Sequence, residues 1–383
     1  MKKIRIAFLI QFLSIGGIET RMLKILRAID RERFEPTIIC ARDDGLQGDA
    51  FKALGFPIVT TRGLLAVNRA IQAAEVPRVL WRAGVRRFDV VFSFLASSQP
   101  FEVYLARFGC RPGGFGYALM NRDRLGVEPY WTKRKALASI IVSVSRKTAE
   151  FFYPPGDSAW DKLRVIPNGV DLERFAPNTG DIRAGRAEFG LPESAVMFCY
   201  PARIAPQKQH EVLLDVAERV AASDPRVHFA LAGQDKRDGW LQAEILRRGL
   251  SATVTYVGPM HDIERLLAVS DGIVLTSAWE GCPNALLEGM AAGLPAVVTQ
   301  SGAEEFVEEG VSGFSVPVGD AEVFSDRVCR LLADEELRKE MGQQGRRVME
   351  RGGSLQGMLQ RWTGVFIELA HSAFSKAPKS GSS

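Results

Sequence analysis

The chain has 383 residues, more than one ordinary hydrophobic core accommodates, and this length predicts two domains. Its 46% hydrophobic and 25% charged residues are typical of a soluble globular protein, which excludes disordered and collagen-like classes. The five cysteines are scattered without paired spacing, which disfavours a disulfide framework or a zinc site and favours a reducing cytoplasm.

Charge is distributed unevenly along the chain, although the net charge is only +4. Residues 1–167 carry 27 Lys and Arg against 15 Asp and Glu, a balance of +12, and the remainder has a balance of −8. The stretches Pro77–Phe88 and Asn121–Lys135 combine basic residues with Trp81, Tyr130 and Trp131. They predict contact with an anionic membrane surface or glycolipid, or else a solvated basic face. No recognised motif supports nucleic-acid binding.

In chain order, the first half alternates short apolar runs with an amphipathic helix. Strands are predicted at 4–11, 35–41, 88–95, 139–145 and 163–169, and a helix at 18–29. The basic, apolar start resembles a signal peptide, but Gln11 interrupts it and no small-x-small cleavage site follows. A buried first strand is therefore predicted. Because no stretch reaches about 18 uninterrupted apolar residues, a membrane-spanning helix is not expected.

The pattern restarts in the second half. Strands are predicted at 195–204, 227–233, 253–258, 271–277 and 295–299, and helices at 210–222, 263–270 and 284–292. Short apolar runs separated by helices predict parallel sheets covered on both faces. We therefore expect two doubly wound α/β domains, with ligands bound in the cleft at the carboxyl ends of the strands.

The joint between the two domains is expected near Ile166–Phe175, where proline and glycine punctuate the chain. The expected domains are then 1–166 and 167–354. A C-terminal helix at 355–373 is expected to pack back on the first domain, and the polar tail at 374–383 is expected to be disordered.

Two loops after predicted strands carry groups suited to anions. Gly16 and Gly17 lie between the first strand and the first helix, where backbone amides can approach a phosphate or sugar. A tight turn explains them equally, and the pattern lacks the G-x-G-x-x-G spacing of dinucleotide binding. Arg203 and Lys208 follow the first strand of the second half. There they would neutralise a leaving pyrophosphate or simply lie on the surface.

The stretch Trp279–Val298 contains two glutamates around the start of a helix. Pro283 suits the first helical position, so Glu280 is expected in the preceding loop. Glu288 then lies roughly 7 Å further along the helix axis. Free amides at 282–285 can receive phosphate oxygens or sugar hydroxyls, and carboxylates accept hydrogen bonds from sugar diols. The alternative is that both glutamates are surface charges.

The same helix carries further markers. Gly293 and then Pro295 predict its end. Gly289 in its interior costs about 1 kcal/mol relative to alanine, which indicates that another group packs closely against it.

Together these motifs resemble the family 4 glycosyltransferases, retaining enzymes with the GT-B fold that are also called glycosyl transferases group 1. The match follows the family's order and spacing over Ile166–Asp320 and includes Gly16–Glu19, whereas the rest of the first half matches only in layout. The resemblance implies two Rossmann-like domains facing across a cleft. The first would bind the acceptor and the second the nucleotide-sugar.

The same resemblance implies roles for individual residues. Arg203 and Lys208 would bind the pyrophosphate and Glu280 would hold hydroxyls of the donor sugar, which makes these three the expected catalytic residues. Glu288 would bind the ribose diol, and the loop around Met260 would lie against the base. Further donor contacts are implied for Gly16, Gly17, Cys282, Pro283, Asn284 and Ala285.

One feature departs from the family's pattern. Many relatives use an N-terminal-domain histidine to touch the donor sugar, whereas the four histidines here all lie in the second half. Some relatives have an Arg-Asn type sequence at this place. Asn121 or Arg122 is therefore expected to substitute, unless this segment is only a basic surface loop.

The reaction expected from the resemblance uses no metal and no other cofactor. No carboxylate-rich metal motif is present, and Arg203, Lys208 and helix dipoles would stabilise the leaving diphosphate. Retention of the anomeric configuration implies front-face attack within an ion pair, without an assigned general base.

The expected partners are a UDP-type nucleotide-sugar donor, a glycolipid or glycan acceptor, and an anionic membrane surface, with no nucleic acid. This indicates bacterial envelope polysaccharide or lipopolysaccharide synthesis in the cytoplasm, peripheral to the inner face of the plasma membrane. Two alternatives stay open. A sugar-nucleotide epimerase would need a richer set of acid and base residues in the first half, and a non-catalytic nucleotide-sugar-binding protein would bind donors without turnover.

Overall fold

The computed structural model describes residues 3–14, 16–66, 68–95, 100–120, 128–178 and 180–375. The chain divides into two compact units: unit 1 is Met1–Pro167 with Met358–Ser383, and unit 2 is Asn168–Gly357. Each unit is built on one sheet with helices between successive strands. The strands are almost wholly apolar because both faces of a parallel sheet are covered.

Within the described residues, unit 1 has a seven-stranded parallel sheet in the order β3-β2-β1-β4-β5-β6-β7. The order reverses between β1 and β4, so the carboxyl ends of these two strands form the switch point where open α/β sheets bind ligands. The strands are β1 (Ile4–Leu9), β2 (Phe34–Cys40), β3 (Ile58–Thr60), β4 (Val90–Ser93), β5 (Phe115–Leu119), β6 (Ile140–Ser143) and β7 (Leu163–Val165).

The helices of unit 1 are amphipathic and cover this sheet. Helix α1, for example, buries Met22 and Leu26 completely. Helix α4 continues as one π-helical turn over Leu105–Gly109. The helices are α1 (Gly17–Ala28), α2 (Gly48–Lys52), α3 (Arg69–Arg82), α4 (Pro100–Tyr104), α5 (Glu128–Leu137) and α6 (Arg146–Phe152).

Unit 2 repeats the plan with a six-stranded parallel sheet, counted over its described residues, in the order β10-β9-β8-β11-β12-β13. Its switch point lies between β8 and β11. The strands are β8 (Val196–Pro201), β9 (Val227–Ala232), β10 (Val254–Gly258), β11 (Gly272–Leu275), β12 (Ala296–Thr299) and β13 (Gly313–Val316). The helices are α7 (Ile182–Glu188), α8 (His210–Ser223), α9 (Trp240–Arg247), α10 (Ile263–Ala268), α11 (Asn284–Ala291), α12 (Ala321–Ala333) and α13 (Glu335–Val348).

The last helix, α14 (Leu355–Ser375), belongs to unit 1 from Met358 onward. Its Trp362 is fully buried and meets the Phe92 ring edge-on at 5.2 Å. Phe366 meets Phe8 in the same way at 5.2 Å. These contacts attach the helix to the core of unit 1. Disorder was expected at 374–383, but residues 374–375 are the end of α14, and 376–383 lie outside the described residues.

The doubly wound α/β fold predicted from the sequence is confirmed, but the hydrophobic pattern misses β3, β5 and β13. Strand β5 contains Gly116, where a Cβ would lie 3.0 Å from both Leu369 and Phe92. The core here is filled by side chains from distant segments, which local hydrophobicity does not reveal. Among the described residues, no helix is long and apolar enough to cross a membrane.

Candidate active site

The exit of β8 fixes the backbone of Lys208. A single 3-10 turn, Pro206–Lys208, is followed by Gln209 in the left-handed conformation with φ of 47°. The Thr276 hydroxyl donates to the carbonyls of Lys208 and Gln209 at 3.1 and 3.0 Å. The Tyr200 hydroxyl also donates to the Lys208 carbonyl, at 2.7 Å. Residues of β8 and of the β11 exit thus hold this turn in place.

Glu280 lies in the loop after β11 and is only 5% exposed. Its Oε1 contacts the Lys208 ammonium and accepts a hydrogen bond from the Ser277 hydroxyl at 2.6 Å. Its backbone amide donates to the carbonyl of Ser301 at 2.8 Å. Both side-chain bonds use Oε1, and no described residue donates to Oε2. One carboxylate oxygen is therefore fixed while the other is available to a ligand.

Lys208 and Glu280 are 72 residues apart in the chain but meet at one place in the sheet. They follow β8 and β11, which are adjacent, parallel strands at the switch point of unit 2. The two exit loops are also joined directly, because Gln207 Nε2 donates to the Trp279 carbonyl at 2.7 Å and the Ala278 amide donates to the Gln207 carbonyl at 2.8 Å. The topology thus brings together two predicted site residues.

Arg203, the third expected catalytic residue, differs from these two. It is exposed in the loop between β8 and the 3-10 turn. No residue in the described part of the chain forms an ion pair with it. Its guanidinium is thus free to meet an anion, whereas Lys208 is already paired with Glu280.

Helix α11 begins at Asn284, so Pro283, expected at the first helical position, lies one residue before the helix. Pro283 is the N-cap with φ −73° and ψ 107°, since its ψ is extended rather than helical. No described side chain caps the helix, so its first amides keep no intrahelical acceptor. Asn168 Nδ2 donates instead to the Cys282 carbonyl at 3.1 Å and to Asn284 Oδ1 at 2.6 Å. The amides at Asn284 and Ala285 therefore remain available to an anion.

Close packing at Gly289, indicated by the sequence, is confirmed. A Cβ at this position would lie 2.7 Å from Ile273 Cδ1 and 3.1 Å from its Cγ2. Glycine therefore lets α11 lie directly on β11. The helix ends at Ala291, followed by Gly293 with φ of 80°, as predicted.

Glu288 and Met260 belong to a second neighbourhood, centred on Arg174. Arg174 Nη2 donates to Glu264 Oε2 at 2.7 Å and to the His261 carbonyl at 3.3 Å, in the loop that follows Met260. The hydrogen bond to Glu264 raises the pKa of Arg174 against the effect of partial burial, and the negative charges of Glu264 and Glu288 add to the rise. Arg174, which the sequence did not single out, thus attracts Glu288 and donates a hydrogen bond to the residue that follows Met260.

The remaining predicted residues lie in unit 1. Gly16 is the N-cap of α1, and Gly17 is its exposed first residue. A Cβ on Gly16 would collide with the Glu19 carboxylate, which also accepts a hydrogen bond from the Ser14 hydroxyl at 3.3 Å. Gly16 thus leaves room for a carboxylate over the helix start. Asn121 and Arg122 lie outside the described residues.

His210 is a group whose environment the sequence did not predict. It is fully buried at the start of α8 and stacks on the Tyr200 ring at 4.9 Å. Neither ring nitrogen has a hydrogen-bond partner among the described residues. Burial lowers the pKa of His210 to about 3, and the positive charges of Lys208 and Arg237 act in the same direction. The ring is therefore neutral at physiological pH and supports Tyr200 from behind.

Two known protein families match the chain, one in each half. Residues 181–348 match the model of the glycosyl transferases group 1, and residues 15–174 match that of Glycosyltransferase Family 4. The chain belongs to this glycosyltransferase family. The fold of two parallel-sheet α/β domains is the GT-B fold of its structural neighbours. The family resemblance predicted from the motifs is thus confirmed.

This glycosyltransferase is similar to the putative glycosyltransferase EpsF of Bacillus subtilis (strain 168), with 23% identity over 345 residues, 86% of this chain and 88% of the relative. It is 24% identical over 356 residues to the Escherichia coli UDP-Gal:alpha-D-GlcNAc-diphosphoundecaprenol alpha-1,3-galactosyltransferase, covering 88% and 89% of the two chains. HepE from Anabaena, solved in complex with UDP, aligns with a TM-score of 0.79 and 21% identity over 95% of this chain and 100% of that one.

Family membership supports transferase activity. One relative, LpsE of Rhizobium meliloti (strain 1021), is named as a lipopolysaccharide core biosynthesis glycosyltransferase. The roles of individual site residues stay predictions. Of the expected donor-site residues, unit 2 brings Lys208 and Glu280 into contact and places Asn284 and Ala285 at an uncapped helix start.

Proposed function

We propose that this glycosyltransferase moves a sugar from a UDP-sugar to a lipid-linked or polysaccharide acceptor in bacterial envelope glycan synthesis, with retention of the anomeric configuration. The observation that carries the proposal is the Lys208–Glu280 pair at the switch point of unit 2. Two relatives support it. HepE binds UDP, and the Escherichia coli relative is named for a UDP-Gal donor and a diphosphoundecaprenol acceptor.

The donor's diphosphate and sugar suit the groups around this pair. An ammonium has three N–H donors, and Lys208 directs one at Glu280, so two remain for phosphate oxygens. Arg203 and the first amides of α11 add positive potential for the same oxygens. Glu280 Oε2 accepts a hydroxyl of the transferred sugar. Because Glu280 is paired with Lys208, the sugar that Glu280 holds lies beside the phosphate, next to the bond that breaks in the transfer.

The nucleoside suits the neighbourhood of Arg174. Glu288 accepts hydrogen bonds from the ribose diol, as carboxylates do from vicinal hydroxyls. The guanidinium of Arg174 attracts the negative charge of Glu288 and donates a hydrogen bond to the His261 carbonyl. Half-buried Met260, at the start of that loop, supplies an apolar surface for the base.

In the proposed reaction, the bond between the anomeric carbon and the β-phosphate oxygen of UDP breaks, and the acceptor hydroxyl attacks from the same face. The acceptor proton goes to the leaving phosphate oxygen, so no side chain serves as a general base. Lys208, Arg203 and the helix start stabilise the negative charge of the departing UDP, without a metal ion. Donors fixed in advance stabilise this charge without reorganisation during the reaction.

The proposed place of action is the cytoplasmic face of a membrane, where the protein is peripheral. Residues 1–167 have a charge balance of +12, which attracts the chain to anionic lipid. The acceptor would be presented at that surface.

The test is turnover of labelled UDP-sugars with and without a bacterial membrane lipid extract. We expect labelled glycolipid when extract is present, slow donor hydrolysis when it is absent, and unchanged rates in EDTA. Rates abolished by EDTA would contradict the metal-independent mechanism. Binding of UDP-sugars without turnover in any extract would instead indicate a non-catalytic binding protein. Product stereochemistry, read by NMR at the anomeric proton, tests retention.

A further inference from the structure

A second ligand-sized feature lies in unit 1, at the carboxyl ends of β2 and β3. It is a cavity of about 510 Å³, lined by Leu65, Glu75 and four arginines, Arg42, Arg62, Arg78 and Arg82. The carboxyl edge is where parallel sheets bind ligands, and this volume is within the usual range for a small-molecule site. None of the residues assigned to the donor lines it.

The single carboxylate of the cavity is already satisfied. Glu75 Oε2 accepts from the Thr61 hydroxyl at 2.8 Å, and Glu75 Oε1 accepts from Arg78 Nη1 at 2.6 Å. Burial acts to raise the pKa of Glu75, but these hydrogen bonds and the charge of Arg78 lower it below its usual range. Glu75 is therefore ionised and orients Arg78, and it neutralises only one of the four guanidinium groups.

No carboxylate of the described residues forms an ion pair with the other three arginines. Arg82 Nη1 donates to the Thr60 carbonyl at 2.9 Å, which holds its guanidinium at the cavity. Arg42 contacts the Phe12 ring at 5.6 Å, and neither Arg42 nor Arg62 pairs with a carboxylate of the described residues. A guanidinium presents a planar set of N–H donors that matches phosphate oxygens in pairs. Three uncompensated guanidiniums around one cavity thus favour a multiply charged phosphate ligand.

Exposed apolar side chains lie beside these charges. Leu65, on the wall of the cavity, is 48% exposed, and Trp81 is 81% exposed one turn of α3 after Arg78. Tryptophan and arginine together are typical of surfaces at a lipid headgroup layer. A ligand that joins phosphate to a hydrocarbon chain would meet both.

We propose that the arginine cavity at β2 and β3 binds the diphosphate headgroup of a lipid-linked acceptor. This inference rests on the proposed function, because it names the acceptor class for that reaction. Arg42, Arg62 and Arg82 bind the phosphate oxygens, Glu75 holds Arg78 in place beside them, and Leu65 contacts the first carbons of the lipid.

The test uses the full chain and two probes, inorganic pyrophosphate and farnesyl diphosphate, measured by isothermal titration calorimetry. The test variant is Arg42→Gln with Arg62→Gln. The matched control is Arg86→Gln with Arg87→Gln, which removes the same charge from exposed residues outside the cavity. All four side chains are exposed, so both variants are expected to fold, which unchanged melting temperatures verify.

We expect wild type to bind farnesyl diphosphate more tightly than pyrophosphate. The cavity variant weakens both by roughly tenfold for each lost guanidinium, and the control variant stays within about threefold of wild type. Equal losses in both variants would show general attraction by basic charge and overturn the proposal. Unchanged affinity in the cavity variant would also overturn it. Equal affinity of wild type for both probes would overturn the proposed lipid ligand and indicate a site for free phosphate instead.

UDP binding separates this inference from the proposed function. Neither variant changes a residue assigned to the donor, so UDP affinity is expected to be the same in wild type and both variants. If wild type binds farnesyl diphosphate through the cavity but does not bind UDP, the proposed function fails and the cavity remains an anion site. If UDP binds and farnesyl diphosphate does not, only the cavity proposal is overturned.

Discussion

The two units share a sheet topology but arrange charge differently at the carboxyl edge. In unit 2, Lys208 and Glu280 form a pair at the switch point, and Ser277 and Tyr200 support it. In unit 1, the cavity beside β2 and β3 has four arginines and one satisfied carboxylate. Paired charges define a geometry, whereas unpaired charges of one sign attract a counter-ion. If the two proposals hold, the paired charges of unit 2 position the donor and the unpaired charges of unit 1 attract the acceptor.

Unit 1 also contains a pair that is completely buried and therefore structural. Arg134 Nε lies 2.8 Å from Glu102 Oε1, and both side chains are 0% exposed. Arg134 Nη2 donates to the Leu95 carbonyl at 3.3 Å, and its guanidinium lies 4.0 Å from the centre of the Tyr117 ring. This pair holds the exit of β4, the position in unit 1 that corresponds to the Glu280 exit of unit 2.

Breaking the pair in unit 2 should lower activity more than any other change considered. Lys208→Ala removes the ammonium beside the leaving diphosphate and leaves Glu280 buried without its cation. Removing one preorganised donor typically lowers turnover by about 10²–10³-fold, and we expect kcat/KM to fall by roughly that factor. Lys339→Ala, which removes an exposed lysine on α13, is the control and should retain full activity. A Lys208→Ala enzyme within threefold of wild type would remove Lys208 from the mechanism.

Breaking the pair in unit 1 should affect stability instead. Arg134→Ala removes the cation that lies beside the buried Glu102 carboxylate, which costs about 3–5 kcal/mol of unfolding free energy. Replacing both partners, as Arg134→Met with Glu102→Leu, removes the buried charges and should recover much of this loss. Urea denaturation monitored by tryptophan fluorescence compares the two. Equal destabilisation by the single and double variants would mean that packing around Arg134 matters more than charge.

His210 supplies a pH test of the supporting layer in unit 2. Its folded pKa is lowered to about 3 by burial, so only the unfolded chain takes up a proton as pH falls below about 6.5. The stability contribution is complete above that pH and is lost as pH falls towards about 3. His210→Phe should remove this dependence and gain about 2 kcal/mol relative to wild type between pH 7 and pH 5. Parallel pH profiles of the two proteins would show that His210 is not buried in this way.

The smallest expected effect tests the packing of α11 on β11. Gly289→Ala raises helix propensity by about 1 kcal/mol but places a methyl group against Ile273. Overpacking typically costs about 1–3 kcal/mol, so we expect a net loss of about 1 kcal/mol in thermal or urea unfolding. Gly364→Ala is the control, because a Cβ there meets no atom within 4 Å. A more stable Gly289→Ala protein would show that α11 can move away from the sheet.

The sequence predicted much of the unit 2 site because its chemistry is local. The proline, glycine and glutamate spacing at 279–298 placed α11 to within one residue of its start. It did not predict that Glu280 contacts Lys208, because that contact depends on β8 and β11 being neighbours. The contacts of Arg174 could not be predicted for the same reason, since its partner Glu264 lies 90 residues further along the chain.

The cavity of unit 1 is harder to predict from the sequence than the site in unit 2. The sequence shows the basic stretch Pro77–Phe88, but the cavity also requires Arg42, which follows β2, and Arg62, which follows β3. Strand β3 has three residues, too few to show a hydrophobic period. A cavity assembled from short, unpredicted elements leaves no single motif in the sequence.

Unit 2 is proposed to bind UDP with Lys208 at the phosphates and Glu288 at the ribose. The direct measurement is calorimetric titration of UDP and of uridine into wild type, Lys208→Ala and Glu288→Ala, with exposed Glu336→Ala as control. We predict that Glu288→Ala weakens both ligands roughly tenfold, whereas Lys208→Ala weakens UDP alone. Unchanged UDP affinity in both variants would contradict this assignment. So would a Lys208→Ala protein that loses as much affinity for uridine as for UDP.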